Sequence, residues 1–152
     1  MEEWREKLVE DREGAHRILR EAKRIAVIGI KPESRAEQPA YYVPAYLQEA
    51  GYEVLPVPCY YPDVTEIMGR PVCRKLADLE GEVDLVVVFR RPRDIPPHVD
   101  DIIASRPAAV WFQSGIRNAD AAERLARAGI EVVQDRCTMI EHRMMEARDR
   151  RE

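Results

Sequence analysis

Short apolar runs recur along the chain, each followed by a stretch whose apolar positions return every three or four residues. Residues 25–30 (IAVIGI), 52–58 (YEVLPVP), 84–89 (DLVVVF), 108–113 (AAVWFQ) and 130–134 (IEVVQ) are near-continuous runs of strand length. Strict alternation would mark a sheet with one wet face. These runs instead suit parallel strands covered on both sides.

The intervening stretches have helical spacing. Trp4, Leu8, Ala15, Ile18, Leu19 and Ala22 place one apolar stripe along residues 2–22, which predicts an N-terminal helix packed on the rest of the chain. Pro44 is expected in the first turn of a second helix, which passes through Leu47 and stops at Gly51. Residues 95–104 and 118–128 read as two more, the latter with Asn118 as N-cap and Gly129 as C-cap. A last helix follows Cys137 and runs through Met144. Strands and helices alternate without a repeat, a low-complexity tract or a linker. The pattern predicts one α/β domain over residues 1–152, with a doubly wound, parallel, five-stranded sheet and right-handed crossovers. Ligands of such sheets bind beyond the carboxyl ends of the strands, where the strand order reverses. The strand ends are therefore where chemistry is sought.

Composition narrows the classes. Hydrophobic residues make up 45% and charged residues 34%, an ordinary globular balance. A net charge of -4 argues against nonspecific nucleic-acid binding but not against a local basic pocket for one anion. Arginine far outnumbers lysine, which alone decides nothing. The amphipathic, acidic start is no secretory signal, and no apolar run approaches the roughly 18 residues of a membrane span. Cys59, Cys73 and Cys137 are widely spaced, so neither a disulfide framework nor a structural zinc site is expected. A reduced, cytoplasmic protein is the expectation.

Each strand end carries two readings. After the first strand, Gly29-Ile30-Lys31-Pro32-Glu33-Ser34-Arg35 offers a permissive glycine, a hydroxyl and two cations, which together make a phosphate cradle. It also reads as a solvated loop with two ordinary surface bases. After the second strand, Val57-Pro58-Cys59-Tyr60-Tyr61 is apolar and aromatic, suited to an adenine ring or simply to a proline-stiffened turn. It supplies no acid for a ribose 2′-hydroxyl and the first loop lacks G-x-G-x-x-G, so NAD is disfavoured. After the third strand, Phe89-Arg90-Arg91-Pro92-Arg93 brings three guanidiniums together, for phosphate or for nearby acids such as Glu33 and Asp94. After the fourth, Gln113 and Ser114 can hydrogen-bond a ligand, or the segment is core followed by a turn at Gly115. Asp135 is a candidate cap for the last helix. His16 and His98 sit in polar helical sequence and are expected at the surface. Glu141 and His142, adjacent on a helix, point about 100° apart and make no metal face. No catalytic constellation or metal site emerges.

Taken in order, G-x-K-P-x-S-R, GYEVLPVPCYY, VDLVVVFRRP, AVWFQSGIRN and VVQDRCTMIEHR resemble the small stand-alone CoA-binding proteins of bacteria. Their domain is similar to the CoA-binding domain of the succinyl-CoA synthetase alpha subunit. The resemblance covers roughly residues 15 to 145 and implies a single Rossmann-like domain with coenzyme A as its ligand. By position, it implies Gly29, Ile30, Lys31, Ser34 and Arg35 at the phosphates and Val57, Pro58 and Tyr60 on the adenine side. Phe89, Arg90 and Pro92 fall to the ribose phosphate or pantetheine, with Gln113 at the fourth tip. The first loop departs from the glycine-richer version in the synthetase. The synthetase's phosphorylated histidine belongs to a second domain, and His142 is not its counterpart. The expectation is binding of CoA or an acyl-CoA without chemistry, with room for an unidentified protein partner. The alternative is a CoA-dependent ligase or transferase subunit completed by a partner's catalytic domain. A redox role for Cys59 is a third reading, without a basic neighbour in sequence to support it.

Overall fold

A computed structural model describes residues 2–151. Helix α1 (Arg12–Glu21) leads into strand β1 (Arg24–Ile28), and helix α2 (Pro39–Glu49) into β2 (Glu53–Val57). A two-stranded hairpin follows, β3 (Glu66–Ile67) and β4 (Arg70–Pro71). Then come β5 (Leu85–Val88), α3 (Pro96–Ser105), β6 (Ala109–Phe112), α4 (Ala119–Arg127), β7 (Glu131–Val133) and α5 (Thr138–Asp149). The main sheet has the order β2-β1-β5-β6-β7 and is parallel throughout, in a register that pairs Ile25 with both Val54 and Leu85.

The strands are apolar on both faces because both are covered. Ala26, Ile28, Val86, Val88, Val110 and Phe112 pack with Val99 and Ile102 of α3 and Leu125 of α4. Their neighbours in sequence, Ile25, Val27, Leu85, Val87 and Trp111, point the other way, to Ile18 and Leu19 of α1, Leu47 of α2 and Met145 of α5. The two-residue period of a strand thus feeds two cores. Neither outer edge of the sheet is left bare. Along β2, Cys73 N–H donates to Pro56 O at 3.0 Å and Arg70 pairs with Glu53 at 2.6 Å. Along β7, Val9 N–H donates to Val132 O at 2.8 Å, and Leu8 bridges Val132 in parallel. Covering edges in this way blocks strand addition by another chain.

Several local expectations are corrected. Residues 2–22 are not one helix: a 3-10 turn at Glu3–Lys7 is followed by the extended segment on β7, and α1 starts only where the Asp11 carboxylate accepts from Gly14 N–H at 3.0 Å. Edge pairing wins there over an unbroken helix. Pro44 is not in the first turn of α2. Pro39 is, while Pro44 sits in the helix interior. The hairpin β3–β4 carried no strong apolar pattern and went unforeseen. Asn118 does cap α4, accepting from Ala121 N–H at 3.0 Å. Asp135 does not cap α5; it accepts from Gly115 N–H at 2.6 Å, and Cys137 takes the cap position without a side-chain bond. Among the described residues, no helix is long and apolar enough to cross a membrane.

Candidate functional site

Chain order leaves β1 toward β2, then returns across β1 to β5, so the strand order reverses between β1 and β5. The residues just past those two strands are Gly29 and Phe89. Gly29 has φ +84°, and a Cβ placed on it would stand 2.2 Å from the Phe89 carbonyl oxygen. Only glycine fits. Gly29 N–H donates to Val57 O, and Phe89 N–H to Ile28 O, both at 2.9 Å. Three strand tips are therefore tied into one rigid floor.

The first loop rises from that floor. The Ile30 side chain is buried and anchors it. Lys31 N–H donates to Ala40 O at 3.1 Å. That carbonyl is free for Lys31 because Pro44, four residues on, has no N–H to offer it. The interior proline thereby fastens the loop to α2. The Lys31 ammonium hydrogen-bonds Gln38. Ser34 and Arg35 stand exposed on a 3-10 turn (Glu33–Arg35), and the Arg35 side chain makes no hydrogen bond or ion pair among the described residues. Glu33 does not meet the arginines after Phe89; its carboxylate accepts from Met68 N–H at 2.8 Å and clips the hairpin turn to the loop.

On the β2 side, Val57 and Pro58 are buried, while Tyr60 is 60% exposed. Arg90 reaches Tyr60 from the β5 tip, donating to its hydroxyl at 3.2 Å with the guanidinium 5.4 Å from the ring centroid. Arg90 Nε is buried without a partner. Burial opposes the Arg90 charge, but the bond to Tyr60 and nearby acidic groups outweigh it, so the guanidinium stays firmly protonated. Burial pushes the Cys59 thiol up despite the opposing charge of Arg90, so the cysteine is held as a thiol. The arginine the sequence lacked nearby is thus present in space, and it does not prevail.

Phe89 packs against the core on the α1 side, and Pro92 opens a 3-10 turn (Pro92–Asp94) whose carbonyl accepts from Asn118 Nδ2 at 2.8 Å. Arg91 is spent on Asp94 at 2.9 Å. Gln113 lies apart from this group, 3% exposed, with Nε2 donating to Thr138 Oγ1 at 2.9 Å and Oε1 accepting from Thr138 N–H at 3.3 Å. It braces the start of α5. Gly29, Val57, Tyr60, Phe89 and Arg90 are brought together; Lys31, Ser34 and Arg35 flank them.

Two features escaped the sequence. Arg74 donates to the carbonyls of Tyr60, Tyr61 and Val64 at 3.0, 2.9 and 2.8 Å, which sets the shape of the β2 tip. Nothing in its spacing announced this. His16 is not at the surface: it is 2% exposed, with Nε2 3.0 Å from buried Glu141, which Arg12 and Arg136 also reach at 3.0 and 3.4 Å. His142, next to Glu141, faces Tyr46 instead, with its Nδ1 2.8 Å from the hydroxyl. Burial holds His142 below the usual histidine range. His98 is half-buried at the start of α3 and is lowered by burial and by the charge of Arg90.

Residues 23–143 match the family model described as CoA binding domain. The chain belongs to this CoA-binding family. An uncharacterized protein of Bacillus subtilis (strain 168), YneT, is 32% identical over 125 residues, spanning 82% of this chain and 89% of that one. Among solved structures, cell-free ID.343 from Thermus thermophilus is 41% identical with a TM-score of 0.80, over 89% of this chain and 98% of that one. A hypothetical protein from Pyrococcus horikoshii OT3 is 31% identical with a TM-score of 0.80, over 90% and 92%. The solved structures share this chain's α/β fold, and the family agrees with the CoA-binding resemblance carried by the chain's motifs.

Proposed function

We propose that the protein binds coenzyme A or an acyl-CoA across the tips of β2, β1 and β5, without transforming it. The observation that carries this reading is the floor at the strand reversal. Gly29 lies in backbone contact with Phe89, and beside it stands Arg90 with a buried nitrogen lacking a partner. A buried donor without an acceptor costs about 1–3 kcal/mol, which an anionic oxygen would recover. The diphosphate would lie over Gly29, met by Lys31, Ser34, Arg35 and Arg90. The adenine would lie against Val57, Pro58 and Tyr60, and the pantetheine would leave past Phe89 and Pro92. Gln113, with its polar atoms turned to Thr138, steadies the start of α5 and makes no contact with the ligand in this arrangement.

A thermal-shift panel of CoA, acetyl-CoA, ADP, NAD and NADP tests it. A ligand at 100 times its Kd adds about 2.7 kcal/mol, so CoA and acetyl-CoA should raise the melting temperature clearly. A shift by NAD with none by CoA would defeat the reading. Co-purification of a partner that confers ATP-dependent acyl-CoA formation would move it to the ligase-subunit class.

A further inference from the structure

We propose that a separate cavity at the tips of β6 and β7 receives the acyl end of an acyl-CoA, and that it favours short acyl groups ending in a free carboxylate. This rests on the binding reading above and adds the class of thioester. The cavity holds about 360 Å³ and is walled by Ser114 after β6, Asp135 to Cys137 after β7, and Arg12 at the start of α1.

Position comes first. The strands are parallel, so this cavity opens on the same edge of the sheet as the Gly29 floor. Neighbouring strands lie about 4.8 Å apart, which puts the β6 and β7 tips roughly 10 and 14 Å from that of β1. With adenine on the β2 side, the pantetheine must run the other way, over β5 toward β6. Between its phosphate oxygen and its sulfur that arm has about a dozen chain atoms, the length of about four residues, or roughly 14 Å extended. The thioester therefore arrives at the cavity.

Charge comes second. Three guanidiniums, Arg12, Arg117 and Arg136, line the cavity together with Glu10, Asp135 and Glu141. The numbers balance, and the exposed Glu10 carboxylate is itself unpaired among the described residues, but the bonding of the other two acids leaves guanidinium donors over. Glu141 is buried and already held by Arg12, His16 and Arg136, and Asp135 by Gly115 N–H with Arg117 at 3.7 Å. Arg12 spends only its Nε, and no hydrogen bond engages Arg117. The outer donors of both guanidiniums remain open to a carboxylate, which a fork of this shape accepts in two-point fashion. Leu8, Val132 and Ile140 supply apolar wall for only a few methylenes.

Calorimetric titration of the whole chain with CoA, valeryl-CoA and glutaryl-CoA tests this, the two acyl groups having equal carbon counts. Glutaryl-CoA should bind about tenfold more tightly than valeryl-CoA, the worth of one charge-assisted contact. Arg117→Ala should erase most of that ratio while changing the CoA affinity by less than about twofold, as expected for a distant site. Equal affinity for the two thioesters overturns the inference, as does an Arg117→Ala variant that weakens all three ligands alike. CoA that binds without the glutaryl preference removes this inference alone. Failure of CoA itself to bind removes the proposed function and the inference with it.

Discussion

Gly29→Ala perturbs the strand reversal at its tightest point. Two costs add. The backbone sits at φ +84°, where a side chain costs about 1–2 kcal/mol. The new methyl would also stand 2.2 Å from a backbone oxygen, well short of ordinary contact near 3.4 Å. That oxygen belongs to Phe89, whose own N–H is bonded to β1, so neither strand tip yields alone. Forcing a tight site apart costs a further 1–3 kcal/mol or so. The sum is about 2–5 kcal/mol, out of a total stability on the order of 5–15 kcal/mol. Gly115→Ala is the matched control, because its φ is +82° but a Cβ there meets nothing within 4 Å. It bears the backbone cost only. In urea titrations and thermal melts, Gly29→Ala should lose about 1–3 kcal/mol more than Gly115→Ala. At about 2–4 °C per kcal/mol, the full loss of about 2–5 kcal/mol should lower its melting temperature by roughly 4–20 °C. Equal losses in the two variants would refute the argument that the tips are closed against a side chain.

Other consequences follow from the buried polar groups and the open cations. Glu141→Ala leaves His16 and two guanidiniums without their shared acceptor, and should cost about 3–5 kcal/mol in denaturant titrations. Asp100→Ala, which removes an exposed pair with Arg124, should leave the melting temperature almost unchanged. Burial lowers folded His142 below its ordinary 6.5, so the unfolded chain takes the proton first as pH falls. The associated stability is present above about pH 6.5 and is lost as pH drops through the range below it, with half-buried His98 acting in the same direction. Melting temperatures from pH 7.5 to 5.5 should therefore decline, and less so in His142→Gln; a rise on acidification would contradict this. Arg35→Ala, which breaks no contact in the free protein, should weaken CoA binding by about 1.5–3 kcal/mol without altering thermal stability, as paired calorimetry and melts will read.

The parts of the molecule legible in the sequence are those governed by local pattern. Ile25 to Ile28 and Leu85 to Val88 are apolar at every position because each strand feeds two cores, so their runs announced both strand and class of sheet. Asn118 announced its cap. What stayed hidden depends on partners distant in the chain. His16 looks like a surface residue until Glu141, 125 positions away, is folded against it. Leu8 and Val9 fit a helical stripe until the free edge of β7 offers their backbone a strand partner. Pro44 reads as a helix opener, whereas its missing N–H releases a carbonyl for Lys31 in the first loop. At the candidate site, the strand-end rule picked out Gly29, Tyr60 and Arg90 as candidates, but the grouping of Tyr60 with Arg90 and the clasp of Arg74 required the three-dimensional arrangement. Gln113 shows the rule's reach and its limit: it ends a strand as expected, and its polar atoms turn inward to Thr138.

The central claim is that the strand reversal at Gly29 and Arg90 holds the phosphates of CoA. Calorimetric titration of CoA into the wild-type chain and into Arg90→Ala addresses it most directly. The account predicts saturable one-to-one binding to the wild type, weakened by about 10- to 100-fold in the variant. CoA binding of equal strength in both would place the phosphates elsewhere and contradict it.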